Sequence, residues 1–179
     1  MIYLIGSLRN PQVPQLANRL REHGFDVFDD WYAAGPEADD KWRDYEKERG
    51  HSYLEALEGE AAKNVFRFDK NHLENADTVV LILPAGKSGH LELGWSLGQG
   101  KKGYILLDSP DRWDVMYQFA TEVFDSEDDL IVRLKNDERE VGPVLSRTCP
   151  ICLHEVEGPV YSDGGCDSCS RYVSNFGRI

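Results

Sequence analysis

The stretch SGHLELGWSLGQGKKGYILL, residues 88–107, carries one carboxylate, Glu92, between a small-residue loop and an amphipathic helix. An apolar run, TVVLIL at residues 78–83, comes directly before it. A carboxylate held at the carboxyl end of a buried strand can stabilise a developing positive charge or capture it covalently. The plainer reading is an exposed helix residue. Gly89 and Gly94 favour the first, because glycine lets backbone or ligand approach closely.

Cysteine supplies the second chemistry. Cys149, Cys152, Cys166 and Cys169 form two CxxC pairs separated by thirteen residues, and no cysteine precedes them. A disulfide framework would spread its cysteines through the fold. Two CxxC pairs instead offer four thiolates to one tetrahedral ion, with a hairpin-length spacer to bring the pairs together. The expectation is a structural zinc ribbon. A redox role for one pair ranks second, since a pair within a four-cysteine array is better explained as ligation. Four thiolates fill zinc's coordination sphere, so the ribbon is not expected to be catalytic. With so small an interior it should depend on its metal to fold. Whether it meets a partner protein, a nucleic acid or a neighbouring subunit stays open.

Two strand ends add polar and aromatic groups. Ser7 and Arg9, in GSLRN, suit an anion, since a guanidinium can pair two phosphate oxygens at once. An ordinary polar loop is the alternative, and the chain has no GxxxxGK[ST] phosphate loop. Asp30 and Trp31 close FDVFDDW at residues 25–31. An indole there can stack on a planar ring and a carboxylate can accept from an amine; a packing role for Trp31 is equally compatible.

These groups need a frame, and the chain reads as alternating strands and helices. IYLIG is a first strand, followed by a loop, SLRNPQVP, and then a helix, QLANRLREHG, stopping at Gly24. FDVFDDW reads as the second strand. AAGPEADDKWRDYEKERG turns helical, with Trp42 and Tyr45 spaced for a shared face. SYLEALEGEAAKNVFRFDKNHLENA continues as helix with a break near Gly59. TVVLIL suits a strand covered on both faces. HLELGWSLGQG is a helix ending at Gly100, and YILL is the next strand. The stretch DVMYQFATEVFDSEDDLIVRLKND then holds one or two closing helices, with Ser126 before a run of acids as a helix start. The pattern predicts an α/β fold, a flavodoxin/Rossmann-like parallel sheet with helices on both faces. Ligands in such sheets sit beyond the carboxyl ends of the strands. The expected organisation is an α/β domain over residues 1–138, a linker at 139–147 and the small C-terminal zinc ribbon at 148–179.

Composition narrows the class. With 32 Asp and Glu against 20 Lys and Arg, the net charge of −12 argues against broad duplex-DNA binding, which needs a positive surface. No segment approaches the length of a membrane span. The start, MIYLIGSLRN, reads as a strand rather than a secretory leader. A cytoplasmic protein with no membrane association is expected.

YLIGSLRN, DKNHLENAD and SGHLELGWSLGQGKKGYIL, in that order and spacing, resemble the nucleoside 2-deoxyribosyltransferase family over residues 1 to about 135. The GSLR start is more similar to its branch of 2'-deoxynucleoside 5'-monophosphate N-glycosidases. The resemblance implies cleavage of an N-glycosidic bond with Glu92 as the nucleophile at the anomeric carbon. Tyr3 would hydrogen-bond and orient that carboxylate; a sheet tyrosine is the alternative. Asp69 would help protonate the departing base, a role that needs a raised pKa; a helix cap is the alternative. Gly6, Ser7 and Arg9, with Ser88 and Gly89, would hold a 5'-phosphate, and Asp30 and Trp31 would contact the base. Asp77 reads as structural and His90 as a solvated helix-start residue.

The nucleoside-transferring branch often has an aspartate six residues before its nucleophile, where this chain has Gly86. That favours the nucleotide-hydrolysing branch. The ribbon and the acidic segment at residues 35–65 are not typical of smaller members. The resemblance further implies a nucleotide or nucleoside substrate, no organic cofactor, and a homodimer or larger assembly whose neighbour completes each site. Two other readings stand beside it: an NAD-cleaving glycohydrolase of related fold, and a non-catalytic nucleotide sensor with a ribbon for interaction.

Overall fold

The computed structural model describes residues 1–108, 113–140, 147–148 and 155–156. The chain divides into two compact units, Met1–Ile131 and Val132–Ile179. In the first, β1 (Ile2–Ile5), β2 (Val27–Phe28), β3 (Thr78–Ile82), β4 (Lys102–Leu106) and β5 (Glu122–Phe124) form one sheet in the order β2-β1-β3-β4-β5. Every pairing is parallel. The helices are α1 (Gln12–Glu22), α2 (Ala38–Glu48), α3 (Tyr53–Leu57), α4 (Glu60–Asn75), α5 (Lys87–Gly98) and α6 (Glu127–Glu140). The expected α/β class is the observed one.

The strands are buried from both sides, so their two faces pack against different helices. Tyr3, Ile5, Val79, Leu81 and Ile105 join Leu73 of α4 and Leu93 of α5 in one apolar cluster. Leu4, Val80, Ile82 and Tyr104, the alternate residues, are fully buried as well. Strand side chains alternate with period two, so these point to the opposite face, where α1 offers Val13, Leu16, Ala17 and Leu20. Each such leucine contributes about 1.5–3 kcal/mol by leaving water. The connections agree: α1 leads from β1 outward to β2, while α5 leads the other way, from β3 to β4. Right-handed crossovers therefore put them on opposite faces.

Several local expectations change. The helix after β1 begins at Gln12 and contains Pro14; a proline fits there because first-turn N–H groups lack intrahelical partners anyway. The second strand shrinks to Val27–Phe28, and Asp30–Ala34 form a 3-10 turn. The buried Asp29 is held by the Arg21 guanidinium, which turns the chain out of the sheet after Phe28. Gly59 precedes α4, as the break near it implied. Of the expected Trp42/Tyr45 face, Trp42 is half-buried and Tyr45 is exposed, while the α2 residue that is buried is Glu46, paired with His51 Nδ1 at 2.5 Å. The stretch expected to be closing helices includes a 3-10 turn (Val115–Phe119) and the edge strand β5 before α6. Only Phe124 of β5 is buried, so its alternation was too short to read as a strand. Ser126 does start α6, its Oγ accepting from the Asp129 N–H at 3.4 Å.

The sheet positions a site where its strand order reverses. β1 and β3 are neighbours, yet the chain leaves them toward opposite faces, which opens a crevice at their carboxyl ends. In the second unit, β6 (Arg147–Thr148) and β7 (Glu155–Val156) pair antiparallel. Cys149, Cys152, Cys166 and Cys169 lie outside the described residues, as do residues 141–146 of the expected linker. Among the described residues no helix is long and apolar enough to cross a membrane.

Candidate active site

Three elements bring three ionisable groups together near the β1/β3 crevice. Tyr3 comes from β1, Asp69 from α4 and Glu92 from the second turn of α5. Burial, and after it the charge of the nearby Asp69, raises the Glu92 carboxyl to about 7. Burial also lifts Asp69 above the ordinary carboxylate range, opposed by His72 one helical turn along. The Tyr3 hydroxyl lies well above the usual phenol range, first from burial, then from Glu92 and Asp69. At neutral pH Tyr3 is therefore a fixed proton donor, and Glu92 is poised between its two forms. Two neighbouring carboxyls whose surroundings raise their pKa values to different degrees can divide acid and nucleophile roles.

The frame around these groups is aromatic and tightly packed. Tyr3 lies 5.2 Å from Phe28, which stacks on the His72 ring at 3.9 Å with only 11° between planes. His72 Nδ1 donates to the Phe68 carbonyl at 2.9 Å, and Phe68 packs against Phe28 and His72. Phe68 and His72 flank Asp69 in sequence on α4. The carboxyl end of α4 is held by Lys101, whose ammonium donates to the carbonyls of Leu73, Glu74 and Ala76 at 2.6–2.7 Å. A cation there satisfies helix-end carbonyls that lack partners.

α5 approaches the sheet through glycine. A side chain at Gly89 would meet Ile5 Cγ2 at 3.0 Å and Leu81 Cδ1 at 3.1 Å. Ser88 and Gly89 lie in the first turn of α5 rather than in a loop. Their backbone thus belongs to a helix amino terminus, a favourable place for an anion. Gly94 would meet nothing within 4 Å, so of the two glycines Gly89 alone makes the expected close approach.

The loop after β1 is fixed from both ends. A side chain at Gly6 would lie 2.6 Å from Val13 Cγ2 and 3.7 Å from Trp31 Cη2. Ser7 Oγ accepts from the Arg9 N–H at 3.2 Å. Asn10, buried, donates to the Leu83 carbonyl at 3.1 Å and accepts from the Gln12 N–H at 3.0 Å. It locks the loop after β1 to the turn after β3, the two edges of the crevice. The Arg9 guanidinium donates to Asp40 of α2 at 2.8 Å.

Trp31 is half-buried and donates from Nε1 to the Leu4 carbonyl at 2.8 Å, so its indole nitrogen serves packing. Asp30 is exposed, and no described interaction joins it to Tyr3, Asp69 and Glu92. His90 is exposed but tethered: Nδ1 donates to the Gly86 carbonyl at 2.8 Å, and Nε2 accepts from the Tyr117 hydroxyl at 3.0 Å. It ties the 3-10 turn Val115–Phe119 to the start of α5, a contact the expectation of a solvated histidine left out. Asp77 pairs with the Met1 ammonium at 2.7 Å and is structural as expected.

Phe28, Phe68, His72, Asn10 and Lys101 were not read as site residues from the sequence. Asn10 had a signal, since Asn-Pro favours turn initiation. Lys101 had none, because the helix it caps is remote in sequence.

The fold and site define a doubly wound α/β protein with a phenol and two raised carboxyls at its topological switch point. No protein-family model matches the chain, and no curated protein matches it by sequence. A solved structure of a CMP N-glycosidase from Clostridium botulinum aligns over 75% of this chain and 97% of its own, at 14% identity and a TM-score of 0.42.

Proposed function

We propose that this protein cleaves the N-glycosidic bond of a 2'-deoxynucleotide or 2'-deoxynucleoside through Glu92. The observation that carries the reading is the meeting of Tyr3, Asp69 and Glu92 from three separate elements, each with its pKa raised by burial. Ionised Glu92 attacks the anomeric carbon while the carbon–nitrogen bond breaks and its electron pair leaves with the base. Asp69 gives that base a proton, and Tyr3 donates to the Glu92 carboxyl and keeps it oriented. Water, or a second base, then attacks the same carbon and displaces Glu92. Water yields free sugar phosphate, and a base yields a new nucleotide. Gly6, Ser7 and Arg9, together with Ser88 and Gly89 in the first turn of α5, bind the 5'-phosphate. The exposed edge of Trp31 lies against the base, with Asp30 at the mouth.

The second unit is a zinc ribbon in this reading. The β6–β7 pair brackets Cys149 and Cys152 in sequence, as a thiolate knuckle on a hairpin requires, and Cys166 and Cys169 complete four ligands. The zinc supplies folding energy and no open coordination position. Exposed Val65, Phe66 and Leu91, on α4 and α5, support a self-association face near the site.

The test is direct. The protein is incubated separately with deoxynucleoside 5'-monophosphates, deoxynucleosides and NAD, and free base is measured by chromatography. Release from deoxynucleosides or their monophosphates, lost in Glu92→Gln, is expected, with a sugar adduct on Glu92 seen by mass spectrometry. Release of nicotinamide alone, or turnover that survives Glu92→Gln, overturns the assignment.

A further inference from the structure

We propose that Asp40 is a phosphate gate: its carboxylate occupies Arg9 when no anion is bound and sets the discrimination between phosphorylated and unphosphorylated substrate. The inference rests on the reading of Arg9 as the phosphate-binding cation. It draws its own support from α2, part of the acidic segment to which the motifs assigned no task.

Arg9 Nη2 donates to Asp40 Oδ2 at 2.8 Å, and Arg43 Nη1 donates to Asp40 Oδ1 at 2.7 Å. Two guanidiniums thus converge on one carboxylate, one from the loop after β1 and one from α2. That is the arrangement an oxyanion between two arginines adopts, and here Asp40 plays the anion. The side chains of Arg9, Asp40 and Arg43 are 55%, 47% and 51% exposed. Ion pairs this open to water are weak and exchange readily. A phosphate brings nearly twice the charge and three acceptor oxygens, so it displaces a carboxylate from Arg9. Once Asp40 moves aside, Arg43 keeps its Nε bond to Asp44 at 2.9 Å and only its Nη1 is freed.

A substrate without a phosphate leaves the Arg9–Asp40 pair in place and meets a neutralised rim. A phosphorylated one must open it. Asp40 therefore lowers affinity for the phosphorylated substrate below what Arg9 alone would give, while leaving affinity for the unphosphorylated one unaffected.

Asp40→Asn removes the charge and keeps the shape. The KM for a deoxynucleoside 5'-monophosphate should fall about fivefold, the upper end for one exposed ion pair. The KM for the matching nucleoside should stay within about twofold. Calorimetric titration of the same monophosphate into Glu92→Gln and Glu92→Gln/Asp40→Asn gives a readout independent of turnover, and the second protein should bind more tightly by the same factor. Equal changes for nucleoside and nucleotide, or weaker monophosphate binding after Asp40→Asn, overturn the gate. Arg9→Gln separates the two levels. If it weakens monophosphate binding while Asp40→Asn does not strengthen it, only the gate fails. If Arg9→Gln changes nothing, the phosphate site itself is wrong.

Discussion

Glu92→Gln should make the protein more stable, and only at high pH. Burial together with Asp69 raises the carboxyl from its ordinary 4.5 to about 7. At 1.36 kcal/mol per pH unit, that is roughly 3 kcal/mol of preference for the protonated form in the folded state. The folded-state pKa lies above the unfolded one, so the stability this group contributes is fully present below about pH 4.5. It is lost as pH rises through about 7. Above that, the wild type buries a charge. Glutamine keeps the shape and the hydrogen-bonding capacity without ever ionising. Urea unfolding of both proteins, followed by circular dichroism at pH 5 and pH 8.5, isolates the contribution of Glu92 together with its coupling to Asp69 and Tyr3, because the remaining titrating groups are common to the two. The variant should be near wild type at pH 5 and up to about 3 kcal/mol more stable at pH 8.5, some 6–12 °C in Tm for a chain of this size. A difference that does not vary with pH, or a variant less stable at pH 8.5, would refute the account of Glu92 as a desolvated carboxyl strained for function.

Three further outcomes follow from the same geometry. Asp69→Asn removes a negative neighbour of Glu92, so the acid limb of kcat/KM, set by Glu92 ionisation, should move to lower pH while kcat falls by about 10²–10⁴ through loss of the proton donor; pH–rate profiles of both proteins check this. Gly6→Ala should destabilise by about 1–3 kcal/mol, because the new methyl would sit 2.6 Å from Val13 Cγ2. In the double variant Gly6→Ala/Val13→Ala, denaturant unfolding should give a smaller loss than the sum of the two singles. With the four cysteines holding zinc as proposed, chelation or Cys149→Ser should destabilise the segment that carries them and leave the circular-dichroism signal of Met1–Ile131 and the proposed base release unchanged, since four-thiolate sites serve folding rather than chemistry.

Residues 78–107 carried their own structure: an apolar run buried on both faces, a helix closed by Gly100 at φ +78°, and a second apolar strand. Burial of both faces is written in uninterrupted hydrophobicity, and a helix stop is written in glycine. These are local properties, and the α/β class followed from their alternation. The two-residue β2 and the three-residue β5 were not legible this way. At such lengths strand pairing is decided by the neighbour already in the sheet, and side chains such as Asp29 with Arg21 determine where it stops.

The site divides along the same line. Glu92, Tyr3 and Asp69 were named from motifs in the sequence, and so were Arg9 and Gly89. What the sequence by itself determined is which chemistries the chain carries and on which kinds of element they ride, since residue type and periodicity are properties of single segments. The tertiary structure alone decided that Asp69 and Glu92 meet Tyr3 where burial raises all three pKa values, that Lys101 caps a helix some thirty residues upstream, and that Arg9 already faces Asp40. Desolvation, charge coupling and capping arise between segments distant in the chain, and they act only once packing has excluded water and set the distances.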